Sequence, residues 1–220
     1  MRRLIVNADD LGYDPEIDRG ILLAHREGLV TSATAMVLTP FAAAALAAAP
    51  ASLGVGLHAV LDPAADEAPA RAELLRQLER FAALRGAPPT HLDSHKHAHA
   101  QPAVLSAVAG VAAAWGLPVR AMDAGLRATL RGRGVRTTDG FAGDAARRPA
   151  WTEEALLAAL ADLPEGVTEL MAHPGFRPAS ARTSFGVERE IELAALTGRR
   201  ARAAVEAGGI QLCSFAQLGG

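Results

Sequence analysis

The sequence holds one cysteine, Cys213, among its 220 residues. A single thiol excludes an internal disulfide framework and reads most simply as a small buried side chain. That usage suits a reducing compartment. A surplus of charge of either sign is also missing, with a formal net charge of −2 and a pI of about 6.4. The chain therefore carries no electrostatic footprint for nucleic acid or an anionic membrane. Long apolar runs are lacking as well. Residues 41–50, FAAAALAAAP, are mostly alanine and too short to span a bilayer. The opening MRRLIVNADD offers only three apolar residues after its arginines, fewer than a secretory signal needs. No linker, repeat or low-complexity tract divides the chain. These absences predict one soluble cytoplasmic domain over residues 1–220, with no nucleic-acid partner and no membrane span. That length is enough to bury a substantial core.

What the chain does have is alternation. RLIVNADD reads as a buried strand with a polar tip. Pro15 to Glu27 follows with Ile17, Ile21, Leu22 and Ala24 at helical spacing, and Gly28 stops it. TSATAMVL, GVGLHAVL, a run beginning at His91, PVRAM, VTELMAHPG and IQLCSF read as further strands. Helices are expected at FAAAALAAA, about Ala70–Arg85, about Pro102–Trp115, WTEEALLAALADL and GVEREIELAALTGRRARAAVEAG. Thr152 and the acidic residues after it are helix-start signals. Asp123 to Pro149, rich in Gly and Arg, reads as irregular. About seven strand–helix repeats predict an α/β fold with a parallel sheet closed or nearly closed by its helices, a TIM-like barrel.

Chemistry in such barrels gathers at the C-terminal ends of the strands, and the unusual polar residues fall there. Asp9 and Asp10 are adjacent carboxylates at a strand tip, which repel unless a cation sits between them. One as metal ligand and its neighbour as general base resolves that conflict, although an acidic helix N-terminus is the ordinary alternative. His58 is flanked by apolar residues, where a core histidine bonded to backbone is usual. With His95 and Asp10 it completes a set of two imidazoles and one carboxylate, which holds a divalent ion and leaves positions open. His173 precedes a Pro-Gly turn that would present it rigidly, and His25 reads as a surface residue. Residues 91–100, HLDSHKHAHA, put His91, Asp93, His95, His97 and His99 at every second position. In an extended chain these side chains point the same way; a solvated polar loop is the alternative.

LIVNADDLG, TSATAMV, GVGLHAVL, THLDSHKHAH and the late HPG, in that order from Arg3 to about Phe215, resemble the YdjC-like carbohydrate deacetylases. The resemblance implies a distorted (β/α) barrel and metal-dependent hydrolysis of an N-acetyl group from an amino sugar. It implies Asp10, His58 and His95 as ligands of one divalent ion, Mg²⁺ or Zn²⁺, with Co²⁺ or Ni²⁺ also compatible. Asp9 would then take a proton from the attacking water, and His173 would act as general acid or polarising group. Asp93 would support the ligands from behind, as bound imidazoles are commonly oriented through their other nitrogen. Arg120 would contact substrate or orient Asp9. His91, His97 and His99 would line the mouth of the site or hold its loop.

Two departures accompany the resemblance. Leu11 stands where the family commonly has Phe, and the stretch between His58 and His91 is short, which leaves the sugar specificity open. The small-molecule partner that the resemblance implies is an acetylated sugar, and the sequence admits a homodimer. Rival readings are a metal-dependent phosphoesterase on a related barrel, for which His97 and His99 could supply ligands to a second ion, a non-haem iron oxygenase, and a non-catalytic metal-binding protein.

Overall fold

Strand β1 (Arg2–Leu11) is the spine of the fold, and every residue from Leu4 onward is buried. Covered on both faces, it carries the unbroken apolar stretch Leu4–Ile5–Val6 that strands of parallel sheets show, before its polar end. The computed structural model describes residues 1–144, 149–181, 183 and 185–218. Within them β2 (Ser32–Ala35), β3 (Gly54–Ala59), β4 (Leu92–Ser94), β5 (Gly140–Ala142), β6 (Gly166–Ala172) and β7 (Gln211–Leu212) join β1 in one parallel sheet. The order is β4-β3-β2-β1-β6-β5, and β7 pairs with the start of β1. The sheet curls into a half-barrel that ends at β4 and β5. The expected α/β architecture is present, but the strands do not form a closed ring.

The connections are helical: α1 (Pro15–Glu27), α2 (Ala42–Ala48), α3 (Glu67–Arg85), α4 (Pro102–Trp115), α5 (Ala124–Gly132), α6 (Glu153–Ala161), α7 (Val187–Thr197) and α8 (Arg199–Ala207). Asp14 caps α1 by accepting from the Glu16 amide at 2.9 Å, with Pro15 in the first turn. Thr152 caps α6 through the Ala155 amide. The main core lies between sheet and helices, around Leu4, Val6, Ile21, Leu57, Phe81 and Leu196. A smaller cluster of Ile5, Val167, Cys213, Phe215 and Leu218 holds the cysteine as a buried apolar side chain.

Four expectations change. The run from His91 stops as a strand at Ser94, because Lys96 and His97 take left-handed conformations (φ 55° and 54°) inside a 3₁₀ segment, His95–Ala100. The alternation of the histidine run is broken at that point. PVRAM makes one parallel bridge, Leu92 to Val119, and no strand. The stretch expected to be irregular contains α5 and β5; its residues 145–148 lie outside the described residues. The single late helix is interrupted at Gly198, which ends α7 in an extended conformation before α8 starts.

Candidate metal centre and its buried carboxylates

Regular pleating would send adjacent residues of β1 to opposite faces. At its end, however, β1 carries one extra residue: Ala8 pairs with Ala33 and Leu11 with Ala35. Asp10 has φ 74°, a conformation that Asp tolerates better than most residues. The bulge re-aims the two carboxylates, and each meets a different arginine.

Asp9 is clamped by the fully buried Arg120. Nη1 reaches Oδ2 at 2.7 Å and Nη2 reaches Oδ1 at 2.6 Å, while Asn7 Nδ2 adds a bond to Oδ1 at 2.9 Å. The same guanidinium donates Nε to Glu169 at 2.7 Å and lies 2.8 Å from Asp93 Oδ2 through Nη1. Asp93 Oδ1 takes the Nδ1–H of His58 at 2.7 Å, and Thr34 donates to its Oδ2 at 3.0 Å. His58 is thereby oriented with Nε2 turned to Asp10.

Asp10 is arranged differently. Arg189 Nη2 holds its Oδ2 at 2.5 Å, while its buried Oδ1 has no hydrogen-bond partner. That oxygen faces His58 Nε2 at 3.4 Å and His95 Nδ1 at 3.6 Å. Donors bound to one ion at about 2.1 Å would stand roughly 3.0–3.4 Å apart; the two distances to Asp10 are near that range, and all three ligand atoms lie within 4.8 Å of one another. An orphaned carboxylate oxygen between two imidazole nitrogens fits a divalent cation. The side chain of His95 is 32% exposed, so the site opens to solvent there. A second cluster, Asp9, His58 and Asp93, also has ligand spacing. Its carboxylates are already paired with the Arg120 cation, which disfavours the second ion of a binuclear phosphoesterase there.

His173 follows β6 directly, with Nε2 4.0 Å from Asp9 Oδ2. Its amide donates to Glu192 at 2.6 Å, and its ring stacks on Phe185 with centroids 4.8 Å apart. The glycine of its His-Pro-Gly turn allows close packing on α1: a Cβ on Gly175 would stand 3.3 Å from the Ile17 backbone.

The remaining histidines divide by burial. His91 does not line a mouth: it stacks on Phe215 at 4.0 Å and bonds Asn7 Oδ1 at 2.9 Å, tying β4 to β1. Gly56 leaves room for its ring, which a Cβ there would meet at 2.6 Å. His99 pins the loop between Ser94 Oγ and the Arg120 carbonyl, at 2.7 and 3.2 Å. His97 packs edge-on to His99 and Phe141 and belongs to neither ligand cluster found among the described residues. His25, near the end of α1, contacts the Val30 carbonyl and Ser52.

The charges follow these contacts. Burial alone would raise the Asp9 carboxyl, but Arg120 outweighs it and holds the pKa below the ordinary value. Burial is likewise overcome at Asp10, by Arg189 and then His95 and His58, which leaves its pKa well below that value. Burial disfavours protonated His58, yet Asp93 and then Asp9 and Asp10 push it up to about 9. Burial dominates the other side of the run and lowers His91 to about 3, His97 to about 4 and His99 to about 3. Glu169, pushed by burial and only partly relieved by Arg120, rises to about 7.

The sequence reading missed Glu169, Arg189 and Glu192. Signals for them existed. Glu169 interrupts the apolar strand VTELMA, and Arg189 and Glu192 share the i, i+3, i+4, i+7 stripe of α7 with Leu193 and Leu196.

The family model described as YdjC-like protein matches residues 3–71 and 61–207. The chain is 35% identical to a carbohydrate deacetylase of Brevibacillus brevis, covering 99% of this chain and 100% of the relative. It is 34% identical to a chitooligosaccharide deacetylase of Serratia marcescens, covering 98% of each. The first alignment runs over 252 positions, more than the 220 residues of this chain. A solved structure from Enterococcus faecalis, of a protein named for cellobiose-phosphate cleavage, superposes with a TM-score of 0.85 at 27% identity over 99% of this chain and 98% of that one. A family 4 acetyl xylan esterase from Clostridium thermocellum, solved with a cobalt ion, shares the fold at 13% identity, with a TM-score of 0.61 over 99% and 90% of the two chains.

Proposed function

This chain belongs to the YdjC-like protein family, and from that premise we infer that it is a carbohydrate N-deacetylase dependent on one divalent ion. The substrate class is an acetylated amino sugar, a chitooligosaccharide or related glycoconjugate. The observation that carries the reading is the unpartnered Asp10 Oδ1 facing His58 and His95, beside a second carboxylate that is locked and ionised.

Asp10, His58 and His95 would hold the ion, Mg²⁺ or Zn²⁺ with Co²⁺ or Ni²⁺ also suited to the donor set. Bound there, it supplies Lewis acidity toward an amide carbonyl and a water. Amide hydrolysis also requires the attacking water to lose a proton and the departing amine to gain one. Asp9, kept ionised by Arg120, is the acceptor. Its proximity to His173, 4.0 Å between Oδ2 and Nε2, sets a basic and an acidic group on either side of a small gap. His173 is the donor to the amine. Asp93 fixes the tautomer of His58, and Arg120 fixes Asp9. His97 borders this network near Phe141 and is assigned to the substrate side. We take residues 1–220 as one domain acting in the cytoplasm; no helix among the described residues is long and apolar enough to cross a membrane.

The test is acetate release from N-acetylglucosamine oligomers and N-acetylated glycolipids by metal-free protein, before and after addition of Zn²⁺, Mg²⁺, Co²⁺ or Ni²⁺. Metal-stimulated release from at least one such sugar is expected. Hydrolysis of phosphate esters with no acetate release from any of them would overturn the reading.

A further inference from the structure

Arg189 is a buried cation that takes no part in the proton transfers of the proposed reaction. Its side chain is 1% exposed, and among the described residues its one ion pair is with Asp10, through Nη2 to Oδ2 at 2.5 Å, while Glu192 also feels its charge and the Phe185 ring lies 5.9 Å away. Nε and Nη1 are buried and have no hydrogen-bond partner. Desolvating a guanidinium and leaving two donors unmatched is unfavourable. Arg120 shows the satisfied alternative in the same protein, with Nε, Nη1 and Nη2 all bonded to carboxylates.

The position of Arg189 is nevertheless firmly built. Its amide donates to the Gly186 carbonyl at 3.2 Å, and its carbonyl accepts from Gly175 at 3.2 Å. Its Cδ passes so close to Gly175 that a Cβ there would stand 3.1 Å away. Helix α7 and the His-Pro-Gly turn therefore deliver the guanidinium to one oxygen of Asp10 and leave the other bare.

We propose that Arg189 is a positioning residue that restricts Asp10 to one-oxygen ligation and weakens its donation, so that the ion is held loosely and stays electrophilic. This rests on the metal-dependent reading above. The chemistry is direct. A carboxylate whose Oδ2 carries a charge-assisted hydrogen bond cannot use that oxygen to chelate, and a neighbouring cation repels a bound divalent ion. Removing a group behind a ligand commonly changes metal affinity by about 10- to 100-fold, ordinarily as a loss; because this group is a cation, the sign expected here is a gain.

The experiment is titration of metal-free protein with Zn²⁺ and Co²⁺ against a chromophoric chelator, for wild type, Arg189→Met, Arg189→Gln and Arg189→Lys. The neutral variants are expected to bind both ions about tenfold or more tightly, while Arg189→Lys stays near wild type. Visible absorption of Co²⁺-loaded Arg189→Met should weaken as Asp10 becomes bidentate and the coordination number rises. If the methionine variant does not fold, the glutamine–lysine comparison decides. Unchanged or weaker binding in the neutral variants would overturn the role given to Arg189 and leave the deacetylase reading intact. Wild-type protein that binds neither ion would overturn both.

Discussion

Asp9 and Asp10 are chemically identical neighbours, yet each has its own buried arginine, and the two pairs are built to opposite plans. On the Arg120 side both Asp9 oxygens are bonded, and Asp93 and Glu169 share the guanidinium. On the Arg189 side one Asp10 oxygen and two guanidinium nitrogens are left over. A fully satisfied polar network rigidifies its surroundings, whereas an unsatisfied one costs stability. The closed side, where Glu169 Oε2 alone among the carboxylate oxygens around Arg120 lacks a partner, therefore fixes geometry, and the open side leaves Asp10 Oδ1 bare for a cation.

The largest effect should come from breaking the closed side. Arg120→Met would take the shared guanidinium from the buried carboxyls Asp9, Asp93 and Glu169, leaving His58 as the cation beside Asp93. Losing one partner of a buried pair costs about 3–5 kcal/mol, and here three carboxylates lose the same partner. The expected result in urea unfolding is loss of most of the stability or failure to fold. A change under about 1 kcal/mol would mean that water already solvates these groups.

On the open side the effect should fall chiefly on the ion. His58→Ala, His95→Ala and Asp10→Ala should each lose most bound metal, because removal of one of three donors leaves too few; only Asp10→Ala should add a stability cost, since it strips the buried Arg189 of its carboxylate. Elemental analysis after metal loading checks this. A full metal complement in His58→Ala would move the ion elsewhere.

Between the two sides lies the reaction. Asp9→Asn and His173→Ala should retain metal and lose about a hundredfold in kcat, the usual scale for a general base or acid. Metal content and steady-state acetate release on the same preparations test this. Near-normal kcat in His173→Ala would leave His173 only its stacking contact with Phe185.

Periodicity made the open side legible: Asp10, His58, His95 and His173 could be assigned to strand ends from sequence. The closed side was only half visible. Arg120 lies in PVRAM, where one bridge stands in for the expected strand, and Glu169 lies on the far side of the sheet's central strand. Their meeting depends on how far the sheet curls, which no local pattern encodes. The histidine run misled for a related reason. Its period-two spacing is real, but left-handed residues at Lys96 and His97 divert the chain after His95, and propensity gave no warning of that turn.

Asp18 sharpens the comparison as a buried carboxyl with no arginine paired to it among the described residues. It sits in α1 and accepts one backbone bond, from Gly12 at 2.5 Å. Burial raises its pKa to about 7, relieved only in part by that bond and raised further by Asp14. The sign of the linkage is opposite to that at Asp9 and Asp10. Their depressed pKa values contribute stability that is lost only as pH falls through the acid range. Asp18 is raised above its unfolded value of 3.8, so the native state holds the proton longer. Stability therefore declines as pH rises between about 4 and about 7, and the cost is fully present above that window. Glu169 has the same sign, so the wild-type slope alone cannot isolate Asp18. Asp18→Asn can, because its amide oxygen still accepts from Gly12 while the charge is gone. Relative to wild type, the variant should gain about 1–2 kcal/mol between pH 5 and pH 8, less than the ideal for a shift of this size because Asp18 is not wholly shielded from water. Urea unfolding of both proteins at the two pH values gives the difference directly. Parallel behaviour would show that Asp18 ionises normally, and that a buried carboxylate here can do without a cation.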